Sequence, residues 1–257
     1  MDSRSKAEAI EQLRSKIRGL ERTAIERRTH SFVATPFAAL NALLPGGGLP
    51  LAALIELLSD DGIGVFSLAL RLAAPVIERK AAWAVVDAEG SFYPPAAAQL
   101  ELDIASLAVV RVAAGHAHWA FNQLLRCPDI GASFLISRSL DNMTYRRLQL
   151  AAERGGGVGF ILRPASAIRR PCWAELRLQA AANANEGGQA RRLRVTLLHA
   201  RGGEAGGSVL VDLETPEPVA GETEWLRVRP ETPHPTLSHK GRGEATATVS
   251  GRTLSTR

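Results

Sequence analysis

The stretch of sequence that decides the fold is IELLSDDGIGVFSLAL, which spans residues 55–70. An apolar run of strand length comes first, a short loop of aspartate and glycine follows, and an apolar pattern of helical period closes the stretch. A strand, a loop and a helix in this order form the framework of a phosphate-binding loop, whose full motif is G-x-x-x-x-G-K-[ST]. The stretch therefore predicts an α/β core with a P-loop framework at residues 59–66.

This loop lacks the side chains with which a P-loop holds ATP. Ser59 stands at the first glycine, Gly62 lies inside the loop, and Gly64 keeps the second glycine. Val65 replaces the lysine that contacts the phosphates, and Phe66 replaces the hydroxyl that binds magnesium. Since valine carries no charge and a phenyl ring cannot bind a cation, ATP hydrolysis and a bound cofactor are not expected. The sequence predicts a protein that is not an enzyme.

The rest of the chain alternates between strand-like and helix-like patterns. The predicted strands cover residues 49–58, 82–86, 108–112, 134–136 and 158–162, and the predicted helices cover 36–44, 66–80, 94–101, 116–126 and 144–153. Alternation at this spacing predicts a mostly parallel central sheet with right-handed crossovers and helices on its faces. Short alternating stretches at 172–179, 192–200 and 209–214 predict an antiparallel extension at one edge of the sheet.

Both ends of the chain differ from the core, which we place at residues 31–228. Residues 1–30 predict an amphipathic helix with Leu13, Ile17 and Leu20 on its apolar side and Arg14 and Arg18 on the charged side. This helix is too short for an independent coiled coil, so these five residues are candidates for docking on this domain or on a partner. Residues 229–257 are rich in Pro, Ser, Thr and Gly and are predicted to be disordered.

Composition limits the class of protein. The chain has 257 residues and a formal net charge of +5, and its apolar runs are far shorter than the roughly 20 residues of a membrane span. Two cysteines in a chain of this length indicate no disulfide framework, and the charged N-terminus lacks a secretory signal, so we expect a cytoplasmic protein. The basic excess is compatible with nucleic acid or with an acidic protein surface, and equally with an arginine-rich composition alone.

Several basic residues are candidates for contact with DNA or a partner. Arg146 and Arg147 lie on a predicted helix, whose exposed face they could simply form, and Arg169 and Arg170 lie in a predicted loop between strands. Single-strand binders pair such arginines with stacking aromatic residues, and none is interleaved with Arg169 and Arg170 along the chain. The pair His116-x-His118 indicates a solvated helix cap rather than a metal site, because no third ligand is placed to complete one.

Several short motifs resemble a known family in their order and spacing. They are LRSKIRGLE at 13–21, LPGGG at 44–48, VDAE at 86–89, LDIASL at 102–107, RRLQLAAE at 146–153 and LLHARGG at 197–203. The segments around residues 43–58 and 82–107 resemble the RecA superfamily. Residues 8–215 as a whole resemble ImuA, a degenerate RecA-like family associated with SOS mutagenesis and translesion DNA synthesis.

The resemblance implies a fold, two further site residues and a set of partners. It implies a RecA-like core in which Glu89 corresponds to the glutamate that orients attacking water, although a carboxylate that caps the following helix is the simpler reading. It places Ser137 where an acidic residue would assist the metal. The implied role is a non-catalytic accessory protein that binds a Y-family-polymerase-like partner of the ImuB type. An error-prone polymerase subunit and RecA are further implied partners, with weak DNA binding, nucleoid association during DNA damage and no membrane contact.

Two other functions remain open at this point. A DNA-stimulated ATPase or recombination mediator would need a reworked nucleotide loop. A cell-division inhibitor of the SulA kind would belong to a related degenerate RecA-like group and would bind a tubulin-like target.

Overall fold

The computed structural model describes residues 32–60, 64–183 and 192–214. The predicted N-terminal helix at 1–30 and the predicted disordered tail at 229–257 lie outside these residues. The strands are β1 Phe32–Val33, β2 Leu49–Pro50, β3 Ala53–Ser59, β4 Ala82–Asp87, β5 Leu107–Arg111, β6 Ile130–Ile136, β7 Val158–Pro164, β8 Leu176–Ala182, β9 Arg192–Ala200 and β10 Ser208–Asp212. The α-helices are α1 Ala38–Leu43, α2 Val65–Ile77, α3 Pro94–Gln99, α4 Ala117–Arg126 and α5 Asn142–Gly155.

The main sheet has eight strands in the order β10-β9-β8-β3-β7-β6-β4-β5. Across the sheet from β8 to the edge strand β5, every pair of neighbouring strands is parallel. In contrast, β9 pairs antiparallel with β8 and with β10. The strand that leads into the degenerate loop, β3, lies between β7 and β8. The predicted α/β class, with a mostly parallel sheet flanked by helices and an antiparallel extension, is therefore confirmed, and the arrangement is consistent with a RecA-like fold.

Helices cover both faces of the sheet, so the central strands have no solvent-facing side. Every residue of β3 is buried. Ile55 and Leu57 belong to the hydrophobic core that includes α2, whereas Leu54 belongs to the core on the opposite face, which includes α4 and α5. Burial on both faces explains why β3 shows no alternation of apolar and polar residues, since only half-buried strands require alternation.

Two predicted strands have different limits in the structure. The apolar run 49–58 is divided, because Ala52 adopts a left-handed φ of 54° and Leu49–Pro50 pairs with Phe32–Val33 in a separate two-stranded sheet. The strand predicted at 172–179 begins at Leu176, and it pairs parallel with β3 on one side and antiparallel with β9 on the other. In the main sheet β8 is therefore the strand at which the parallel part meets the antiparallel strands β9 and β10.

Two of the glycine-rich motifs meet in the folded chain. The turn that follows α1 packs against the segment between β9 and β10, where a Cβ atom on Gly203 would lie 2.5 Å from Cγ of Pro45. A Cβ atom on Gly207 would overlap the side chain of Leu43. Glycine at positions 203 and 207 therefore permits close packing against Pro45 and Leu43, which lie far away in the chain.

Helices α4 and α5 also approach each other closely at one end. Gly155 is buried, and a Cβ atom at this position would overlap the carbonyl oxygen of Leu125 in α4. The backbones can come this close because glycine has no side chain. No helix of the described ranges is both long enough and apolar enough to cross a membrane.

The substitution Gly155→Ala should therefore destabilise the fold. The added methyl group must displace backbone of α4, and overpacking of this kind costs about 1–3 kcal/mol. Urea unfolding followed by circular dichroism measures the change in the free energy of unfolding. The matched control is Gly115→Ala, because a Cβ atom there meets no atom within 4 Å. Equal unfolding free energies for the two variants would contradict the proposed contact.

Candidate functional site

The candidate site lies at the carboxyl ends of the parallel strands, the edge at which α/β sheets bind ligands. Ser59 is the last residue of β3, Glu89 follows β4 by two residues, and Ser137 follows β6 directly. The fold therefore brings these three sequence-predicted residues to one edge of the sheet. Gly62, another predicted residue of the loop, lies outside the described residues.

The helix after the loop begins with apolar side chains that pack inward. Gly64 is the N-cap of α2 and has a left-handed φ of 80°. Val65 and Phe66 are partly buried and pack against the hydrophobic core. The Phe66 ring centroid lies 5.5 Å from that of Phe92 and 5.7 Å from that of Phe134. An aromatic cluster thus forms at the position where a P-loop places its magnesium-binding hydroxyl.

Ser137 is held by hydrogen bonds within the protein. Its backbone N–H donates to the Leu162 carbonyl at 2.9 Å, and its hydroxyl donates to the Ser139 carbonyl at 2.9 Å. Nε2 of His118 lies 2.9 Å from the Ser137 hydroxyl oxygen. Since the hydroxyl proton is directed to Ser139, the His118 ring must donate, and Ser137 is not activated as a nucleophile.

The expectation that the pair His116-x-His118 forms a solvated helix cap fits the exposed His116 at the N-cap of α4 but is wrong for His118. The side chain is half-buried and bonded to Ser137, and it is His116 that occupies the N-cap position of α4, without a side-chain hydrogen bond. Burial lowers the pKa of His118, Arg163 lowers it further, and the charge of Asp141 acts in the opposite direction. A lowered pKa keeps the ring neutral at physiological pH, in agreement with a structural role.

The sequence suggested that Glu89 caps the following helix, and the structure contradicts this prediction. It is exposed and lies 3.7 Å from Nε of Arg138, whereas the N-cap of α3 is Tyr93, without a side-chain hydrogen bond. The buried Asp87 stabilises the turn after β4 instead, because its carboxylate accepts the backbone N–H of Ser91 at 2.9 Å.

A buried ion cluster in strands β3, β7 and β8 was not predicted from the sequence. Glu56 of β3 is fully buried and pairs with Arg163 of β7 at 2.7 Å and with Arg177 of β8 at 2.5 Å. Arg177 also donates to the carbonyl oxygens of Ala167 at 2.9 Å and Ile168 at 3.1 Å. The sequence did contain a signal for this cluster, because Glu56 is a carboxylate within an apolar run and needs a cationic partner when it is buried.

Two further buried groups near this cluster have raised pKa values. The Tyr145 hydroxyl lies 3.6 Å from Sγ of Cys172. Burial raises the pKa of Tyr145, and burial, with a smaller contribution from the charge of Glu56, raises the pKa of Cys172 to about 11. A thiol with this pKa is protonated at neutral pH, so Cys172 is not a reactive nucleophile.

The four arginines predicted to contact DNA or a partner are all exposed but have different surroundings. Arg146 lies over the ring of Trp173, with its Cζ 5.5 Å from the ring centroid, and it donates a hydrogen bond to Gln149. Arg147, its neighbour in sequence, lines a groove between α4 and α5 instead. Arg169 ends a short 3-10 helix and Arg170 follows it, where a plain loop was predicted.

The remaining predicted site residues cannot be located on the fold. The partner-binding candidates Leu13, Arg14, Ile17, Arg18 and Leu20 lie outside the described residues. Within the described ranges, no group of three or more His, Cys, Asp or Glu side chains is arranged to hold a metal ion.

No protein-family description matches the chain, and no curated protein matches it.

Replacement of Glu56 should destabilise the protein strongly. In Glu56→Gln the guanidinium groups of Arg163 and Arg177 stay buried without a negative partner, a loss that typically costs about 3–5 kcal/mol. Chemical unfolding with tryptophan fluorescence measures the effect.

The matched control is Glu89→Gln, which makes the same chemical change in a carboxylate whose side chain is 57% exposed. An exposed ion pair contributes at most about 1 kcal/mol, so this variant should unfold like the wild type. Similar unfolding free energies for both variants would show that the Glu56 cluster does not stabilise the sheet.

Proposed function

We propose that this protein is a non-catalytic RecA-like accessory protein of SOS-induced translesion DNA synthesis, and that it acts by binding a Y-family-polymerase-like partner of the ImuB type. The observation that carries the proposal is the inward packing of Val65 and Phe66 at the start of α2. These two positions would supply the phosphate-binding lysine and the magnesium-binding hydroxyl in an active P-loop.

The rest of the edge supports a non-catalytic role. Phosphoryl transfer depends on positive charge and on positioned groups around the phosphates. Ser137 offers a hydroxyl that is already bonded to Ser139, and Glu89 is an exposed carboxylate beside Arg138. Without the P-loop lysine and a metal ligand, the negative charge of a triphosphate would stay uncompensated here, because the Glu89 carboxylate is itself negative.

The resemblance to ImuA supplies the choice of pathway and partners. Two of its motifs, at 44–48 and 197–203, pack against each other in the folded chain, and a third, at 146–153, lies within α5. Where the first two motifs meet, a Cβ atom on Gly203 would lie 2.5 Å from Cγ of Pro45, so glycine at position 203 permits this contact. The proposal includes an error-prone polymerase subunit and RecA as further partners, and a cytoplasmic location with recruitment to the nucleoid during DNA damage.

The full chain should neither bind nor hydrolyse ATP. Isothermal titration with Mg-ATP should give no binding heat, and phosphate release should stay at background in the presence of single-stranded DNA. Turnover that DNA stimulates would contradict the proposal and favour a recombination mediator. If such turnover occurs, Glu89→Gln should abolish it, which identifies the activity as that of this chain.

The full chain should co-purify with an ImuB-type polymerase-like protein when the two are expressed together. Because the apolar side of the N-terminal segment is the candidate contact, a Leu13→Ala/Ile17→Ala/Leu20→Ala variant should lose most of this capture. Glu89→Gln is the control that should retain it. Capture of a tubulin-like protein in place of the polymerase-like protein would instead support a cell-division inhibitor.

A further inference from the structure

A groove of about 400 Å³ runs between α4 and α5 on the outer surface of the domain. Its borders are formed by Trp119, Asn122 and Arg126 from α4 and by Arg147, Leu150 and Arg154 from α5. In both helices these side chains are three and four residues apart, so they form one row on each helix. The groove is thus bordered by two rows of side chains.

The helices that form this groove are firmly held. Phe121 and Leu125 of α4 pack with Tyr145 and Leu148 of α5 in the hydrophobic core on this face of the sheet. Asn122 donates a hydrogen bond of 3.4 Å to the backbone carbonyl of Arg147, which links the two helices along the groove. The groove is therefore formed before any ligand binds.

The groove carries an excess of positive charge. Arg126, Arg147 and Arg154 are exposed, and no carboxylate is among the side chains that line it. None of the three arginines pairs with a carboxylate in the described part of the chain. Three unpaired guanidinium groups along one groove are suited to an anionic ligand, since each can donate two parallel hydrogen bonds to a phosphate.

An exposed aromatic ring lies at the same groove. Trp119 is 64% exposed, although tryptophan is highly buried on average. Arg147 and Arg154 are seven residues apart, which is about 10.5 Å along a helix, so the cations extend over a short run of backbone phosphates. Proteins that bind single-stranded nucleic acid combine two features. Their basic side chains lie along the phosphate backbone, and an aromatic ring provides a surface on which a base can stack.

We propose that the groove between α4 and α5 binds single-stranded DNA, with Arg126, Arg147 and Arg154 on the phosphates and one base stacked on Trp119. A single strand fits better than a duplex, because only unpaired bases have a face free to stack on an indole ring. It also fits better than an acidic amphipathic helix, because Leu150 is the groove's one other large exposed apolar residue. The site deepens the proposed function, since it would hold the template near a bound polymerase-like partner.

The test measures binding of a fluorescently labelled oligo-dT to the purified full chain by anisotropy at several salt concentrations. Arg147→Gln/Arg154→Gln should weaken binding at least tenfold and should reduce the slope of log K against log salt by about 1.4, because two phosphate contacts are lost. Trp119→Ala should weaken binding by about 5- to 100-fold with little change in this slope, and Trp119→Phe should restore most of the affinity.

The matched control is Arg79→Gln/Arg194→Gln, which removes the same charge from exposed positions that lie outside the groove and were not predicted to contact DNA. This variant should bind oligo-dT like the wild type. Equal losses in the two double variants, or no binding by the wild type, would overturn the proposal. Poly-glutamate that displaces the oligonucleotide at equal charge concentration would likewise overturn it and would assign the groove to an acidic protein.

The outcome is independent of the test of the proposed function. Binding of oligo-dT is measured without a partner protein, and capture of the ImuB-type partner depends on the N-terminal candidates instead. Loss of DNA binding with retained capture in Arg147→Gln/Arg154→Gln would support both proposals. If the wild type captures the ImuB-type partner but does not bind DNA, the proposed function is unaffected and the proposed DNA-binding groove is refuted.

Discussion

The buried carboxylate of Glu56 is the constraint on which the centre of the fold depends. Glu56 is fully buried in β3, and its charge is compensated only because Arg163 and Arg177 reach it from the two neighbouring strands. Such a cluster is stable when all partners are present, whereas loss of one partner lowers the free energy of unfolding strongly. Arg177 also binds the carbonyl groups of the 3-10 helix that connects β7 to β8, so one cluster joins three strands and the crossover between two of them.

At the carboxyl edge of the sheet, the start of α2 and Ser137 are engaged by packing and hydrogen bonds within the protein. The Phe66 ring packs on Phe134, which in turn stacks on Phe160 at 5.1 Å, so the start of α2 is joined to the hydrophobic core of the central strands. Ser137 is bonded to neighbouring groups in the same way. The outer surface of α4 and α5 carries three exposed arginines that have no carboxylate partner among the described residues, Arg126, Arg147 and Arg154. This distribution agrees with a protein that works through its surfaces.

Much of the fold could be predicted from periodicity because helices and strands bury side chains at different intervals. The bounds of β9 were predicted as they are found, since residues 192–200 alternate between buried and exposed positions. The run at 49–58 gave no sign of its division, because Leu51 and Ala52 are as apolar as the strand that follows. The start of β8 was misplaced because Glu175 and Arg177 are buried, whereas alternation alone assigns charged residues to the solvent side.

The sequence by itself determined the class of fold and the absence of a P-loop lysine and hydroxyl from residues 59–66, because both depend on local pattern and on residue identity. It could not show which charged residues are buried or which basic residues stand beside an aromatic ring. Arg146 and Arg147 are adjacent in the chain, yet one lies over Trp173 and the other lines a groove with Trp119. Only the tertiary structure decided this, since contacts between residues far apart in sequence depend on how the helices pack on the sheet.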